Sequence, residues 1–172
     1  MNAAHVHLLV NHIPIVGAIL SVPILVLALV ARSQRGLALA AAVLLTLGVL
    51  GTGVALRSGE GAEDVVEKLP DVHKANIETH EERAEVAAAF AVLAALASIA
   101  LALVEHERSA PAPRVLVAVV LAVALGNAGA MAWTGASGGV IRHTEIRGSA
   151  AATSETPQSS SERAEQHERD DD

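Results

Sequence analysis

Three histidines within the first twelve residues are the side chains best suited to chemistry in this sequence. His5 lies just before a long apolar run and His7 at its start, and His12 lies further inside it, next to Asn11. Neutral imidazole is a good ligand for haem iron and for divalent metals. Polar groups inside a membrane are costly, so those that occur there call for a partner or a role. The histidines therefore define a candidate site that the remaining elements must position.

Composition excludes several classes of protein. The chain has 172 residues, of which 52% are hydrophobic, and its mean hydropathy of +0.43 is too high for a soluble globule. A net charge of −7 and very few aromatic residues argue against nucleic acid as a partner. The absence of cysteine excludes disulfides, thiolate zinc sites and iron–sulfur ligation. No nucleophile, base and orienting residue occur as a set, so hydrolase chemistry, and an enzymatic role more generally, are disfavoured.

Four apolar runs are long enough to cross a bilayer as helices. They predict an all-α, integral membrane four-helix bundle over residues 1–147, with helices at about 6–31, 37–56, 72–104 and 115–136. The first run is too long for a signal peptide and has no Lys or Arg ahead of it, so we expect it to be retained. Residues 148–172 are rich in Ser, Glu and Asp, and predict an acidic disordered tail.

The basic residues predict the orientation of the bundle. The link 32–36 is short, basic and free of acid, which places it in the cytoplasm. The link between helices three and four returns to the same side, whereas the acidic stretch 57–83 and both termini face the outside. The prediction is a multi-pass protein of the bacterial inner membrane with both termini on the periplasmic or outer side.

This topology gathers six histidines on the outer side of the membrane. His12 lies about two turns inside helix one, where an unpaired imidazole is not expected to face lipid. Residues seven apart share a helix face, and both His5 with His12 and His73 with His80 have that spacing. His5 and His7 are expected to be interfacial or solvated. The six residues are His5, His7, His12, His73, His80 and His143.

A b-type haem is one group that such a bundle could hold, because haem iron accepts two axial imidazoles from facing helices. We expect His12 and His80 to be the axial pair, with Arg83 and Arg142 available for the propionates. Counted along the helices, His80 lies about a turn higher than His12, and a tilt of helix one would have to compensate.

Two other interpretations remain open. A divalent zinc, copper or iron ion could be bound at the outer surface by His12, His80, His73 and His143, with help from Glu63, Glu78, Glu81 or Glu82. Alternatively, the chain could bind no cofactor and act as an accessory subunit. In that case its Gly- and Ala-rich helix faces would pack on a larger membrane complex.

The opening stretch His7-Leu-Leu-Val-Asn-His12-Ile-Pro14-Ile resembles the His-x-x-x-x-His-Phe-Pro-Ile opening of a widespread family of small, uncharacterised four-helix bacterial membrane proteins. Thr52-Gly53, His80 and the segment Gly138-Gly139-Val-Ile-Arg142-His143 are similar to later motifs of that family. Members occur alone or fused to Rieske iron–sulfur domains, so the resemblance implies a membrane redox complex as partner and a haem-related role. Ile13 replaces the family's usual Phe, and the Tyr before the last His is missing.

Overall fold

The computed structural model describes residues 2–147, and most of them are helical. The helices are α1 Ala3–Val10, α2 His12–Val30, α3 Arg35–Val66, α4 Lys74–Glu107 and α5 Arg114–Arg142, followed by a 3-10 helix, Thr144–Ile146. The chain divides into two units, and all five α-helices belong to the first, Met1–Arg142. The acidic tail predicted at 148–172 lies outside the described residues.

The helices form a closed bundle. In the order α2, α3, α4, α5, each helix packs on the next, α5 packs back on α2, and α1 lies against α3. Within the described residues 2–147, four segments are long and apolar enough to cross a membrane, with α1 and α2 counting as one segment, Ala3–Val30. The prediction of an all-α four-helix membrane bundle is confirmed. The side of the membrane on which the termini lie stays a prediction.

Short connections at 31–34, 67–73 and 108–113 make successive helices antiparallel. The first and third connections therefore lie at one end of the bundle, and connection 67–73 lies at the other. We call the latter the histidine end, because it is the end at which His7 and His80 lie.

The first membrane segment is broken between α1 and α2 at Asn11. Pro14 accounts for the break, since its ring clashes with the carbonyl four residues earlier and it has no N–H to donate. At the start of α1, Asn2 Oδ1 accepts a hydrogen bond from the backbone N–H of His5 at 3.0 Å, which caps the helix. The segment carrying His7 is thus a separate short helix.

Helix α3 extends further at the histidine end than the sequence predicted, whereas α4 begins two residues later than predicted there and ends three residues later at the opposite end. α3 continues past Leu56 to Val66, and its 32 residues span about 48 Å, more than the bilayer core of about 30 Å. The added turns bury Ser58 and Ala62, because α1 packs along this part of α3. α4 begins at Lys74, and Asp71 adopts a left-handed φ of 61° in the connection instead of capping a helix at residue 72.

Small residues let the helices pack closely at the centre of the bundle. Gly17 on α2 is an example, since a Cβ atom there would lie 3.1 Å from the backbone carbonyl oxygen of Leu44 on α3. Much of the buried core is alanine, with a few larger residues between. The largest buried cluster comprises Leu25, Ala28, Ala38, Ala41, Leu101, Ala112, Val117, Val120 and Ala124.

The opposite end of the bundle is held by Arg35. Its Nε donates to the carbonyl of Glu105 at 3.0 Å, and its Nη2 donates to those of His106 and Arg108 at 3.2 and 3.3 Å. These carbonyls end α4, where a cation is favourable. The buried Glu105 carboxylate in turn accepts the backbone N–H of Ala112, which ties the end of α4 to the connection that follows it.

Candidate functional site

The imidazoles of His7 and His80 meet at the histidine end. Their ring centroids lie 6.4 Å apart with an interplanar angle of 80°. His7 comes from α1 and His80 from the second turn of α4, and both side chains are half-buried. Within this unit, α1 and α4 thus each contribute one imidazole to a single place.

His7 is anchored on α3. Its Nδ1 lies 2.9 Å from the carbonyl oxygen of Ala55. Because a carbonyl can only accept, Nδ1 carries the proton and donates it. In the neutral ring, Nε2 then holds the free lone pair, so the Ala55 carbonyl sets both the orientation and the tautomer of His7.

His80 is anchored on α5 in the same way. Its Nδ1 lies 3.1 Å from the carbonyl oxygen of Thr134 and 3.2 Å from Ser137 Oγ. The Ser137 hydroxyl donates its own hydrogen to the Thr134 carbonyl at 2.8 Å, so both oxygens accept from the imidazole. His80 is therefore also an Nδ1–H tautomer, with the Nε2 lone pair free when the ring is neutral.

A glycine lies beside each ring, and the one beside His80 is closely packed. A Cβ atom on Gly138 of α5 would lie 3.0 Å from His80 Cε1, and one on Gly59 of α3 would lie 3.7 Å from His7 Cε1. The first distance is too short for any side chain unless the His80 ring moves. Gly138 belongs to the Gly-Gly motif of the sequence. Its lack of a side chain lets the backbone of α5 pack against the His80 imidazole.

This arrangement is well suited to coordination. Histidines that bind metals commonly donate their second ring N–H to a backbone carbonyl or a carboxylate, which fixes the tautomer and raises the basicity of the ligating nitrogen. His7 and His80 both have this anchor. Two such imidazoles at one place form a ligand pair, although no three His, Asp or Glu side chains within residues 2–147 are grouped so as to hold a metal ion.

The two rings stand edge to face, with their centroids 6.4 Å apart. This separation is that of a direct edge-to-face ring contact. The fit to a metal therefore rests on the chemistry of the donors, which are two imidazoles that are each anchored through Nδ1 on a backbone carbonyl.

His12 was predicted to be the partner of His80, and the structure places it elsewhere. It begins α2 with an exposed side chain, whereas His7 faces the bundle. His7 and His12 lie on opposite sides of the break at Asn11, and the imidazole of His7 is the one that bonds to a neighbouring helix. Every seventh residue after His7, namely Pro14, Ser21 and Ala28, is buried. This seven-residue spacing can be read from the sequence, and it places His7 on the same inward-facing side of the first membrane segment.

The predicted arginines take different places. Arg83 lies on α4, one turn after His80, with its guanidinium 4.4 Å from the centre of the Trp133 ring on α5. A cation so placed is favoured by the electrons of the ring face. Arg142 ends α5 with an exposed side chain. Of the two residues proposed for the propionates, Arg83 is thus the one on the helix of His80 and near it in sequence.

The remaining predicted ligands are exposed. His73 is the residue before α4. His143 belongs to the second unit, where its Nδ1 lies 2.7 Å from Glu145 Oε1. The pKa of Glu145 lies below its ordinary value, first because its own backbone N–H donates to the carboxylate and then because His143 does. Of the carboxylates proposed to assist, Glu63 on α3 and Glu81 on α4 lie close enough to interact.

Comparison of the chain with models of known protein families, with curated proteins and with solved structures gave no match. The resemblance of the opening and closing motifs to a four-helix membrane family therefore stays a prediction. The site is defined by its geometry alone.

Proposed function

We propose that the chain is a membrane protein of electron transfer that binds a b-type haem through His7 and His80. The observation that carries this proposal is the pairing of two imidazoles from α1 and α4, each anchored through Nδ1 on a backbone carbonyl. His7 takes the place that the sequence had suggested for His12. His80 keeps its expected role.

A two-ligand site favours haem over a bare divalent ion. Porphyrin supplies four ligands to iron, so the protein needs to provide only two, whereas structural zinc sites take four protein ligands and catalytic ones three. His7 and His80 are two, and Arg83, one turn after His80, is a cation available to an anionic edge of the cofactor. When bound, such a group would supply one-electron redox chemistry. A single iron or copper ion on the same two imidazoles is the second candidate, supported by the same anchored pair.

The test is the absorption spectrum of the protein purified in detergent, with matched substitutions in the first membrane segment. We expect a Soret band, and split α and β bands on reduction, in the wild type and in His12→Ala. We expect His7→Ala and His80→Ala to lose these bands. Circular dichroism on each variant checks that the helices are intact.

Each other result points elsewhere. A colourless protein with about one metal ion per chain by elemental analysis would favour the bare-ion candidate. A colourless, metal-free protein would overturn the proposed site and favour an accessory subunit. Loss of the bands in His12→Ala, with retention in His7→Ala, would contradict the assignment of His7.

We also propose that the histidine end faces the periplasm or cell exterior. The link 32–36 at the opposite end is short, basic and free of acidic residues, as is typical of a cytoplasmic loop. Since the chain has no cysteine, single cysteines can report on each end. Glu67→Cys should react with a membrane-impermeant maleimide in intact cells and Ser33→Cys should not. The reverse pattern would invert the orientation.

A further inference from the structure

A groove on the bundle surface lies between α1 and α3, beside the histidine end. Its volume is about 490 Å³, and its walls are mainly aliphatic. On α3 it runs from Val49 and Leu50 past Gly53 and Val54 to Arg57, and on α1 it includes Val6. Successive residues of α3 approach the histidine end, so the apolar part lies deeper and Arg57 stands at the rim.

Arg57 is exposed and is a free cation at that rim. Within residues 2–147 no carboxylate forms an ion pair with it. From Leu50 to Arg57 the helix rises by about 10 Å, the distance that separates the upper part of an acyl chain from its headgroup. An arginine at this level can keep its guanidinium at the interface and bind phosphate through two parallel hydrogen bonds.

Gly53 keeps the groove open. A Cβ atom on Gly53 would meet no other atom within 4 Å, so the backbone of α3 itself forms the floor at this point. A larger side chain would occupy the groove without clashing with the bundle. The groove is therefore a property of the α3 surface that one substitution can remove.

We infer that this groove binds one anionic phospholipid, with an acyl chain along Val49 to Val54 and the phosphate on Arg57. An apolar groove that ends in an unpaired cation complements a lipid of this charge. A zwitterionic lipid offers the same phosphate, but the cationic group of its headgroup lies beside Arg57 and weakens the attraction. A twofold-related second copy would instead bring the same cation to both sides of one patch, which is unfavourable. The inference is independent of what His7 and His80 bind.

The test is native mass spectrometry of the detergent-solubilised protein with added phosphatidylglycerol or phosphatidylcholine of identical acyl chains. We expect one tightly held phosphatidylglycerol per chain and a preference for it over phosphatidylcholine. Arg57→Gln should reduce the affinity for phosphatidylglycerol about fivefold, the effect of one interfacial cation, and abolish the preference. Arg114→Gln, which removes an exposed arginine at the opposite end, should leave both unchanged.

Filling the groove separates this site from general lipid adhesion. Gly53→Leu should lower the occupancy of both lipids, whereas Gly129→Leu should not, although Gly129 on α5 also has open space above it. Equal binding of the two lipids by the wild type, or wild-type lipid binding by both Arg57→Gln and Gly53→Leu, would overturn the inference. So would a dimer in the wild type that Gly53→Leu dissociates.

Discussion

Gly138 on α5 lies directly against the ring of His80 on α4, so closely that a Cβ atom at Gly138 would stand 3.0 Å from His80 Cε1. Gly138→Ala should therefore displace the imidazole from the Thr134 carbonyl. We expect about a tenfold loss of affinity for the bound group, within the range seen when the support of a ligand is disturbed. Titration of the cofactor into the apo-protein measures it. Gly129→Ala is the control, because its methyl group would meet nothing, and an equal loss in both variants would remove the role given to Gly138.

Ser137 supports His80 through its hydroxyl, which lies 3.2 Å from the ring Nδ1 and donates to the Thr134 carbonyl. Ser137→Ala removes one acceptor of the ring N–H and should lower affinity about tenfold while shifting the reduction potential of the bound group. Thr79→Ala is a matched control, since the Thr79 hydroxyl makes the same kind of helix-internal hydrogen bond, to the Ala75 carbonyl at 2.8 Å, and is not a partner of the His80 ring. An unchanged potential in Ser137→Ala would show that the hydroxyl is only structural.

Close packing of α2 on α3 depends on Gly17, whose Cβ position faces the Leu44 carbonyl at 3.1 Å. Gly17→Leu should force the two helices apart and cost about 1–3 kcal/mol, the usual penalty of overpacking. Gly53→Leu, with open space at its Cβ position, should keep the stability of the wild type. Thermal unfolding in detergent, followed by circular dichroism, compares them. Equal melting temperatures would contradict the packing described for α2 and α3.

Arg35 ties the connection before α3 to the end of α4 through three backbone carbonyls. Because the side chain is largely solvated, we expect Arg35→Gln to destabilise the bundle by only about 1 kcal/mol. The spectrum of any bound group should not change, since the histidines lie at the other end. Thermal unfolding of the wild type, Arg35→Gln and the control Arg114→Gln measures the loss of stability. A larger effect on cofactor binding than on stability would link the two ends in a way that the contacts do not explain.

The architecture could be predicted from the sequence because the apolar runs exceed the length of a soluble core helix and contain few charges. The ends of α3 and α4 could not. Residues after Leu56 are charged and rich in glycine, which predicts a loop, yet packing against α1 keeps them helical as far as Val66. The start of α4 at Lys74 follows a connection in which Asp71 has a left-handed φ, and no pattern in the sequence predicts that conformation.

The candidate site was predicted in part. The antiparallel topology gathered His7 and His80 at one end, and seven-residue spacing drew attention to His12 instead of His7. His12 was preferred because it lies deeper in the membrane segment. Depth does not determine which way a side chain faces, and the side chain of His12 is exposed. The carbonyls of Ala55 and Thr134 that anchor the rings carry no sequence signal, since every residue has one. The pattern that leads to His7 is the seven-residue spacing of Pro14, Ser21 and Ala28, which are all buried.

The most direct test of the central claim is chemical rescue of the ligand from α1. Electron paramagnetic resonance of the oxidised wild-type protein should show low-spin ferric haem with two imidazole ligands. His7→Gly should convert this signal to high spin, and free imidazole should restore it by filling the space of the missing side chain. His12→Gly should keep the low-spin signal throughout. A wild-type signal that persists in His7→Gly without imidazole would contradict coordination by His7.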